Sequence, residues 1–574
     1  MSRLFFNGQL YITPITVSAV DDSALADTSL QVGNVLALIG SSTGGKPKTA
    51  KPYSNPVDAT KDLIDGPLLT AVKKAFSPSS ETPAPNQVIA LRVDPATQAT
   101  LTLNDAGAHP VIDLSSVLYG EGANGVKVKV EAGSVTGTKF TQQFGASIIS
   151  QDNIARPELT VAYSGVEVTA TIDITDTTVV LKAPASAPGV TIDLTQVKTL
   201  VALVDRINAQ PGFAAVLLDP NGTNPTLNSL DFATAQSVKP GPFTVTADLQ
   251  AVIDYINSIG GFVTAARGTG GAKPAAIGFT FLAGGGAGTI TNTDWSDCFT
   301  ALQVVDCQWF VPLSPDPAIH AMAEAHAIFM SGPGQKERRT LVGLDVGENI
   351  AGVKAASAAL NNDRTSEVYP GYKDFDAAGN LTLYPPYMTA ALVGAMASGV
   401  PPGTPLTNKQ MNVRGLEFDL RNPTDTDDLI NAGVLCCENT PQGFKVVQSI
   451  STWVVNRNFN RTEISTGAAL DKVMREVRLA LNTLKGSRGS PTLLGKAFQI
   501  TDTTLRELAV QPPNGPGVIV GDDNSPAFKN IQVSLNGDVL AVAFQCSPVI
   551  PDNFVTVTVF AVPFSSSLTS TPAA

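Results

Sequence analysis

Charged residues are scarce in this chain. Asp, Glu, Lys and Arg make up only 15% of its 574 residues, whereas globular proteins average about 25%. Acidic residues outnumber basic ones and give a net charge of −12, which disfavours a general binder of nucleic acids or acidic membranes. Gly and Pro are frequent, at 49 and 40 residues, so strands and turns are expected to be common. The composition indicates large surfaces that are buried in the fold or covered by partners.

Cysteine and histidine are also rare. The five cysteines contain no C-x-x-C pair and cannot form a complete disulfide framework, so we interpret them as reduced thiols of a protein that folds in a cytosol. Two of the three histidines are six residues apart, unlike the four-residue spacing of an H-E-x-x-H metal site. We therefore predict no metal, no cofactor and no catalytic histidine, and interpret all three as packing or surface residues: His109, His320 and His326.

Long apolar runs are missing as well. No stretch approaches the roughly 18–20 apolar residues that cross a membrane. The N-terminal segment is interrupted by Asn7, Gly8, Gln9 and Pro14, whereas a signal peptide needs an unbroken apolar core. The sequence therefore predicts a soluble protein that is not exported by a cleaved signal.

The patterns that are present predict a multidomain fold of mixed α+β and α/β class. Residues 32–39 and 87–93 are apolar runs typical of buried strands, and residues 68–76 between them have helical spacing. Thr and Val alternate between about residues 100 and 240, as in residues 126–131 and 166–174, which is typical of half-exposed antiparallel strands. We predict an α/β core interrupted by an inserted β-rich domain.

The predicted organisation has six parts. They are an extended N-terminal arm (1–26), the first part of the core (27–99), the inserted β-rich outer domain (100–285), the second part of the core (286–410), a C-terminal α+β domain (411–553), and a C-terminal strand and arm (554–574).

One internal repeat occurs in the predicted insertion. The segment L-V-D-R-I-N-A-Q-P-G-F-A-A begins at Leu203, and V-I-D-Y-I-N-S-I-G-G-F-V-T begins at Val252. Each copy predicts a helix that ends at an Asn and Gly turn before a strand. The match indicates either a duplicated helix–strand unit or two independent uses of the same helix stop, and we favour the second interpretation.

A glycine loop at residues 40–47, G-S-S-T-G-G-K-P, partly fits two catalytic motifs. Gly40, Gly45 and Lys46 match a phosphate-binding loop, but Pro47 replaces the Ser or Thr that would bind magnesium. Gly40, Ser42 and Gly44 match the G-x-S-x-G elbow of hydrolases. Both motifs require a helix directly after the loop, and the following residues K-T-A-K-P-Y-S-N-P have no helical spacing. We interpret the segment as a turn.

Residues 467–485 predict an amphipathic helix that ends at Gly486. Its apolar face is formed by Leu470, Val473, Met474, Val477, Leu481 and Leu484. Three cations lie away from that face, and they are expected to be free to meet an acidic partner: Lys472, Arg475 and Arg478. The alternative is an ordinary solvated face.

Several segments together resemble the tail sheath proteins of contractile bacteriophages and of related injection machines. V-L-A-L-I-G-S-S-T-G-G-K-P is similar to the N-terminal strand and turn of that family, and D-G-P-L-L-T-A-V-K-K-A-F with V-I-A-L-R-V is similar to its next helix and strand. L-Y-G-E-G-A-N-G-V-K-V-K-V resembles its inserted domain. Y-P-P-Y-M-T-A-A-L-V-G-A-M-A-S-G-V-P-P-G-T-P-L-T-N-K and N-A-G-V-L-C-C-E-N resemble its C-terminal half.

The resemblance implies a structural subunit and no enzyme. Such subunits form hexameric rings stacked in a helix around an inner tail tube, and they contract to drive the tube through the host envelope. The implied partners are other copies of the chain, the inner tube protein, and baseplate and tail terminator or neck proteins, with no direct contact to nucleic acid or membrane. The implied location is the virion, after assembly in the host bacterial cytoplasm.

In that family, extended arms lend strands to neighbouring subunits, a form of β-augmentation. We therefore expect the ends of this chain to pair with adjacent subunits through Leu4, Phe5, Phe6, Leu10, Tyr11, Ile12, Val555, Val557 and Val559. We also hypothesise that the basic face of the helix at residues 467–485 points toward the inner tube, because its cations lie away from the apolar face. Two other classes stay open at this point: a P-loop or serine hydrolase that uses the glycine loop, and a secreted adhesin or receptor-binding protein built from the Thr/Val strands.

Overall fold

The structure, a computed structural model of the chain, describes residues 4–6, 9–11, 35–218, 222–564 and 566. Most of the predicted N-terminal arm, including Ile12, therefore lies outside the described residues. Within the described part of the chain, no helix is both long and apolar enough to cross a membrane.

The first half of the chain is rich in strands. It begins with β1 (Leu4–Phe6), β2 (Gln9–Tyr11), β3 (Val35–Gly40), β4 (Lys51–Tyr53), α1 (Pro56–Leu63), α2 (Pro67–Ala75) and β5 (Gln87–Arg92). It continues with β6 (Gln98–Asn104), β7 (Pro110–Tyr119), β8 (Val126–Ala132), β9 (Thr138–Phe144), β10 (Ser147–Ile154), β11 (Pro157–Tyr163), β12 (Thr171–Ile174), β13 (Thr178–Lys182) and β14 (Val190–Asp193). It closes with α3 (Leu200–Asn208), β15 (Phe213–Leu217), β16 (Ala233–Ser237), β17 (Phe243–Thr246), α4 (Asp248–Ser258), β18 (Val263–Arg267) and β19 (Ile277–Phe281).

The second half alternates helices and strands. Its first elements are α5 (Asn292–Leu302), β20 (Trp309–Pro312), α6 (Pro317–Ser331), β21 (Arg339–Val342), α7 (Ile350–Leu360), β22 (Thr365–Tyr369), β23 (Tyr372–Phe375), β24 (Leu381–Tyr384) and α8 (Pro386–Gly399). Its last elements are β25 (Gly415–Leu416), α9 (Thr424–Asn431), β26 (Val434–Thr440), β27 (Gly443–Val446), α10 (Phe459–Thr462), α11 (Ile464–Leu481), α12 (Pro491–Ala509), β28 (Phe528–Asn536) and β29 (Val539–Cys546).

A central sheet of eight strands organises the fold, in the order β27-β26-β22-β21-β20-β3-β5-β4. The six inner strands run parallel, and the two edge strands are antiparallel to their neighbours. β3 lies between β5 and β20, with Leu36 opposite Trp309. Segments on both sides of residues 98–281 therefore build one sheet, and the mixed α/β class predicted from the sequence is observed.

Helices cover both faces of this sheet. One face packs against α2 and α8, and the other packs against α5 and α6. Strand β3 is buried along its whole length, because parallel strands between two helical layers have no solvent face. At Gly394 in α8, a Cβ would lie 3.1 Å from Val311 and 3.4 Å from Leu36, so glycine allows the helix to approach the strands closely.

Residues 98–281 form two units that share one topology. In the first unit, the sheets have the orders β10-β9-β8-β19 and β18-β7-β6; in the second, they have the orders β14-β13-β12-β16 and β15-β11-β17. All of these pairings are antiparallel in both units. The second unit is inserted between β10 and α4 of the first, and β17 takes the place that β6 has in the first unit.

The sequence repeat falls at equivalent places in these units, on α3–β15 and on α4–β18. The side chain of Asn208 receives a hydrogen bond from the backbone N–H of Ala215 at 2.7 Å and donates one to its carbonyl. Asn257 makes the same two bonds to Ala265, each at 2.9 Å. Topology and bonding agree between the two units, which favours a nested duplication over the independent helix stops preferred from the sequence.

The second unit has a core of its own. That core is made of residues from both of its sheets and from α3, among them Leu159, Ile172, Leu181 and Leu203, all buried. Its two chain ends meet, since the N–H of Ala247 donates to the carbonyl of Arg156 at 2.8 Å.

We expect a fragment of residues 155–248 to fold without the rest of the chain, because its apolar core and its closing contacts lie inside it. Circular dichroism should show one cooperative thermal transition. In the same fragment, Leu181→Ala should destabilise the fold by about 2–5 kcal/mol, the range for a leucine truncated in a core. A fragment that shows no transition would contradict the independence of the unit.

The first unit is joined to the core by two segments that bind each other. The N–H of Thr97 donates to the carbonyl of Gly286 at 2.9 Å. The side-chain amide of Asn124 makes two hydrogen bonds with Gly285: it donates to the carbonyl at 2.8 Å and accepts from the N–H at 2.9 Å. The glycine string at residues 282–288 is therefore a connection that hydrogen bonds to Thr97 and Asn124 hold in place.

The strand predicted at residues 166–174 is wrong in its first part. Residues 166–170 form a loop before β12, and Val166 and Val168 are 93% and 88% exposed. Residues 551–564 form no strand within this single chain, so the prediction that the C-terminal strand pairs in an adjacent subunit stays untested. In both segments apolar and polar residues do alternate, but no neighbouring strand of the described chain offers hydrogen bonds to the backbone.

Candidate interaction surfaces

The glycine loop at residues 40–47 is closed by contacts within the chain. The N–H of Ser42 donates to Oδ2 of Asp94 at 2.9 Å, and Arg92 bridges Asp94 and the carbonyl of Gly45, both at 3.0 Å. The chain then forms β4, with no helix directly after the loop. The backbone groups that would cradle a phosphate are partly used internally, and the interpretation as a turn is confirmed.

The histidines take packing and surface positions. Nε2 of His320 donates to the carbonyl of Ser314 at 2.8 Å, and Nε2 of His326 accepts from Arg338 at 3.1 Å. Burial, assisted by the Arg338 charge, lowers the pKa of His326 to about 3, so its ring is neutral at ordinary pH. His109 is exposed beside Asp105. The described residues contain no group of three or more His, Cys, Asp or Glu side chains arranged for a metal ion.

Helix α11 is buried on two sides. One side contacts α12, the segment around Ile519 and the β28–β29 hairpin through Ala469, Val473 and Val477. The opposite side contacts the central sheet through charged groups. Asp471 accepts hydrogen bonds from Nε of Arg339 at 3.1 Å and from Nη1 of Arg364 at 2.6 Å. Burial opposes ionisation of Asp471, but the two guanidinium groups outweigh it and lower the pKa of its carboxyl.

The expectation that three cations of α11 are free is wrong for two of them. Arg475 is only 3% exposed; its Nη1 lies 2.9 Å from Oδ1 of Asp306, and its Nη2 donates to the carbonyl of Glu337. Arg478 forms an ion pair with the buried Glu337 carboxylate. Lys472 is half-buried, and burial lowers its pKa. The polar stripe of the helix thus faces a second protein layer, where its charges meet opposite charges from distant segments.

An apolar groove of about 860 Å³ lies between α11, the start of α12 and the hairpin β28–β29. Its apolar lining includes Val477, Leu481, Leu493, Val542 and Phe544. In the described part of the chain, β28 and β29 pair with each other and with no third strand. Each strand of the hairpin therefore has one edge whose backbone groups pair with no other strand of the described chain. These edges lie beside the unfilled apolar groove.

The C-terminal segment leaves the fold close to this domain. The side chain of Asn553 donates to Oε1 of Glu463, the residue before α11, at 2.7 Å. Beyond Asn553 the apolar side chains point away from the fold, with exposures of 80–88% for Phe554, Val555, Val557, Val559, Phe560 and Val562. Exposed alternating strands are normally paired or covered in native proteins, so this segment and the open hairpin are candidate surfaces for subunit contacts.

The predicted N-terminal arm strands are described only as backbone. Residues Leu4–Phe6 pair antiparallel with Gln9–Tyr11 in a two-stranded hairpin. Their pairing with another subunit stays a prediction, as does that of Val555, Val557 and Val559.

The chain is similar in sequence to proteins of several phages. No family model matches the sequence. A tail sheath protein of Bacillus phage SP01 is 28% identical over an alignment that covers 98% of both chains. A tail sheath protein of Staphylococcus phage Twort is 23% identical over 84% of this chain and 86% of the relative.

Two solved structures share the fold. A sheath tail protein from Listeria innocua has a TM-score of 0.55 at 14% identity and covers 90% of this chain and 92% of its own. A sheath tail protein from Desulfitobacterium hafniense has a TM-score of 0.51 at 13% identity over 94% and 96%. The chain is therefore similar over nearly its full length to a phage tail sheath protein, and it shares the fold of two solved sheath tail proteins.

Proposed function

We propose that this chain polymerises around an inner tube as the subunit of a contractile sheath, and that exchanged terminal strands link its copies. The observation that carries the linkage is the combination of an open hairpin and an exposed alternating segment in one molecule. A strand from a second copy would satisfy the backbone at the open edges of β28 or β29. Each Val or Phe that became fully buried in the groove would add about 1.5–3 kcal/mol.

The position of Asn553 supports a link between subunits that would let their cores move relative to each other. Its contact with Glu463 fixes the point where the segment leaves the fold, while the following residues contact little of their own subunit. Strands tied to a neighbour through such a segment would keep copies connected while their cores changed position. Contraction would then need rearranged contacts between cores and no nucleotide.

The other partners are also proposals. An inner tube protein, baseplate proteins and a tail terminator or neck protein are what a sheath subunit would contact, after assembly in the host cytoplasm. Lys472 remains a candidate contact to an acidic tube, whereas Arg475 and Arg478 serve the interior of this subunit. The inserted units at residues 98–281 are proposed to lie on the outside of the sheath.

Truncating the chain after Asn553 is expected to give a folded protein that forms no tubes, because the segment that would complete the neighbouring sheet is removed. Val557→Asp should weaken tube formation for the same reason, since a charge cannot enter an apolar groove without a large desolvation cost. Electron microscopy and sedimentation measure assembly, and circular dichroism measures folding. Deleting residues 2–20 tests the N-terminal arm in the same way.

Val304→Asp is the matched control. Val304 and Val557 are similarly exposed, at 82% and 80%. Val304, however, lies in a loop after α5 and not in the C-terminal segment. The control should assemble like the unmodified chain. Normal contractile tubes from the truncated protein would show that the ends are ordinary tails.

A further inference from the structure

A small cavity lies where the start of α11 meets the end of α8 and the beginning of β20 and β21. Its volume is about 40 Å³, enough for a few water molecules or one monatomic ion, since one water needs roughly 10–15 Å³ on this measure. The polar groups that line it and matter here are Glu337, Arg339, Ser465, Asp471, Lys472 and Arg475.

Positive charge predominates in this lining. Three cations, Arg339, Lys472 and Arg475, face the two carboxylates of Glu337 and Asp471. Each carboxylate is also shared with an arginine outside the lining, Asp471 with Arg364 and Glu337 with Arg478. Three further carboxylates bring the wider cluster to five cations and five carboxylates: Asp306 pairs with Arg475, and Asp363 and Glu476 act at longer range on Arg339 and Lys472. The excess of one positive charge is therefore confined to the lining itself.

Two buried donors in the lining have no hydrogen-bond acceptor among the described residues: Oγ of Ser465 and Nε of Arg475. Ser465 is 4% exposed and Arg475 is 3% exposed. Nε of Arg475 lies 3.5 Å from Oε2 of Glu337, which is an ionic contact without hydrogen-bond geometry. Buried donors are nearly always satisfied in native proteins, so these two point to a missing acceptor.

The N-terminus of α11 adds to the preference for negative charge. Ser465 lies in the first turn of this 18-residue helix, where the helix dipole favours an anion. Lys472 contributes an ammonium group that forms no ion pair in the described part of the chain. An occupant with acceptor capacity and one negative charge would satisfy both donors and balance the Lys472 ammonium group.

We propose that this cavity binds a monovalent, halide-sized anion, with chloride as the simplest occupant. The anion accepts from Ser465 and Arg475 and lies near Lys472. It thereby joins α11, and with it the C-terminal domain, to the end of the central sheet. This proposal concerns the isolated subunit and does not depend on how copies assemble.

Bromide provides a direct positional test. Crystals of the full chain soaked in sodium bromide should show an anomalous difference peak within hydrogen-bonding distance of Oγ of Ser465 and Nε of Arg475. Density for water without an anomalous peak would overturn the proposal. A peak without a response in solution would mean binding at crystal concentration only, and would also overturn it.

The solution test compares two salts at equal ionic strength. Sodium chloride, relative to sodium gluconate, should raise the Tm of the full chain by about 2–4 °C with saturation, as expected for a ligand that binds the folded state. Ser465→Ala should lose at least half of that rise. Ser449→Ala is the matched control, because Ser449 is equally buried and its hydroxyl also lacks a partner, but it does not line the cavity.

Two results would contradict the proposal in solution: an equal rise in both salts, or the same chloride response in Ser465→Ala and Ser449→Ala. If Ser465→Ala does not fold, Lys472→Met replaces it, since it removes a charge from the rim while the two buried donors remain. The anomalous map of the unmodified chain tests whether the cavity binds bromide, and it does so independently of either variant.

Discussion

Asp471→Asn is expected to destabilise the docking of α11 on the central sheet by about 3–5 kcal/mol, the cost of leaving buried charges without their partner. The carboxylate holds Arg339 and Arg364, whose side chains are 4% and 16% exposed. An amide has the same shape but no charge, so both guanidinium groups would stay buried beside a neutral side chain. Hydrogen exchange of the α11 amides measures the effect, because exchange reports the free energy of local opening.

Asp502→Asn on the neighbouring helix α12 is the control for this prediction. Asp502 pairs with Arg506 one turn away, and the Arg506 side chain is 70% exposed. Exposed pairs of this kind contribute little, so exchange should change little in that variant. Equal protection of α11 in the two variants would show that the buried ion pairs do not hold the helix.

Glu367→Gln is expected to remove a large pH dependence of stability. Glu367 lies in β22, is fully buried, and neither carboxylate oxygen has a hydrogen-bond partner among the described residues. Burial raises its pKa from 4.5 to about 8. The unfolded chain therefore loses this proton near pH 4.5, while the folded chain keeps it until about pH 8. The contribution to stability is full below pH 4.5 and falls as the pH rises toward 8.

The expected size of this effect is up to about 5 kcal/mol over the full range between the two pKa values, since each pKa unit corresponds to about 1.4 kcal/mol. Thermal unfolding between pH 5 and 8.5 should show that the advantage of Glu367→Gln over the unmodified chain grows with pH. Glu121→Gln, at an exposed position, controls for the loss of one negative charge. A constant difference across this range would mean that Glu367 is ionised in the folded protein.

Local patterns predicted the elements whose surroundings are simple. Strands β3 and β5 and the helix α2 were predictable because a short apolar run, or an apolar stripe with helical spacing, directly indicates that its residues are buried. The turn at residues 40–47 was predictable because Pro47 and the residues after it exclude a helix. These conclusions need no knowledge of distant segments.

The charged side of α11 could not be predicted in this way. Arg475 pairs with Asp306, which is 169 residues away in the sequence, and an amphipathic pattern cannot distinguish water from a layer of opposite charges. Glu367 is a second case, because the run T-S-E-V-Y reads as a half-exposed strand. Only the topology, which places β22 inside a sheet covered on both faces, shows that its carboxyl is buried. The doublet Arg338–Arg339 beside an apolar strand was the available signal for buried ion pairs.

The nested duplication has a mechanical consequence. The chain enters and leaves the second unit at one crossing, where Arg156 meets Ala247, and it enters and leaves the first unit where Thr97 meets Gly286. Tension between the two halves of the core can therefore pass across these crossings without stretching either unit. Both units therefore lie outside the segments that transmit tension between the halves of the core. Their length and surface can differ between related subunits while the segments that carry the force stay the same.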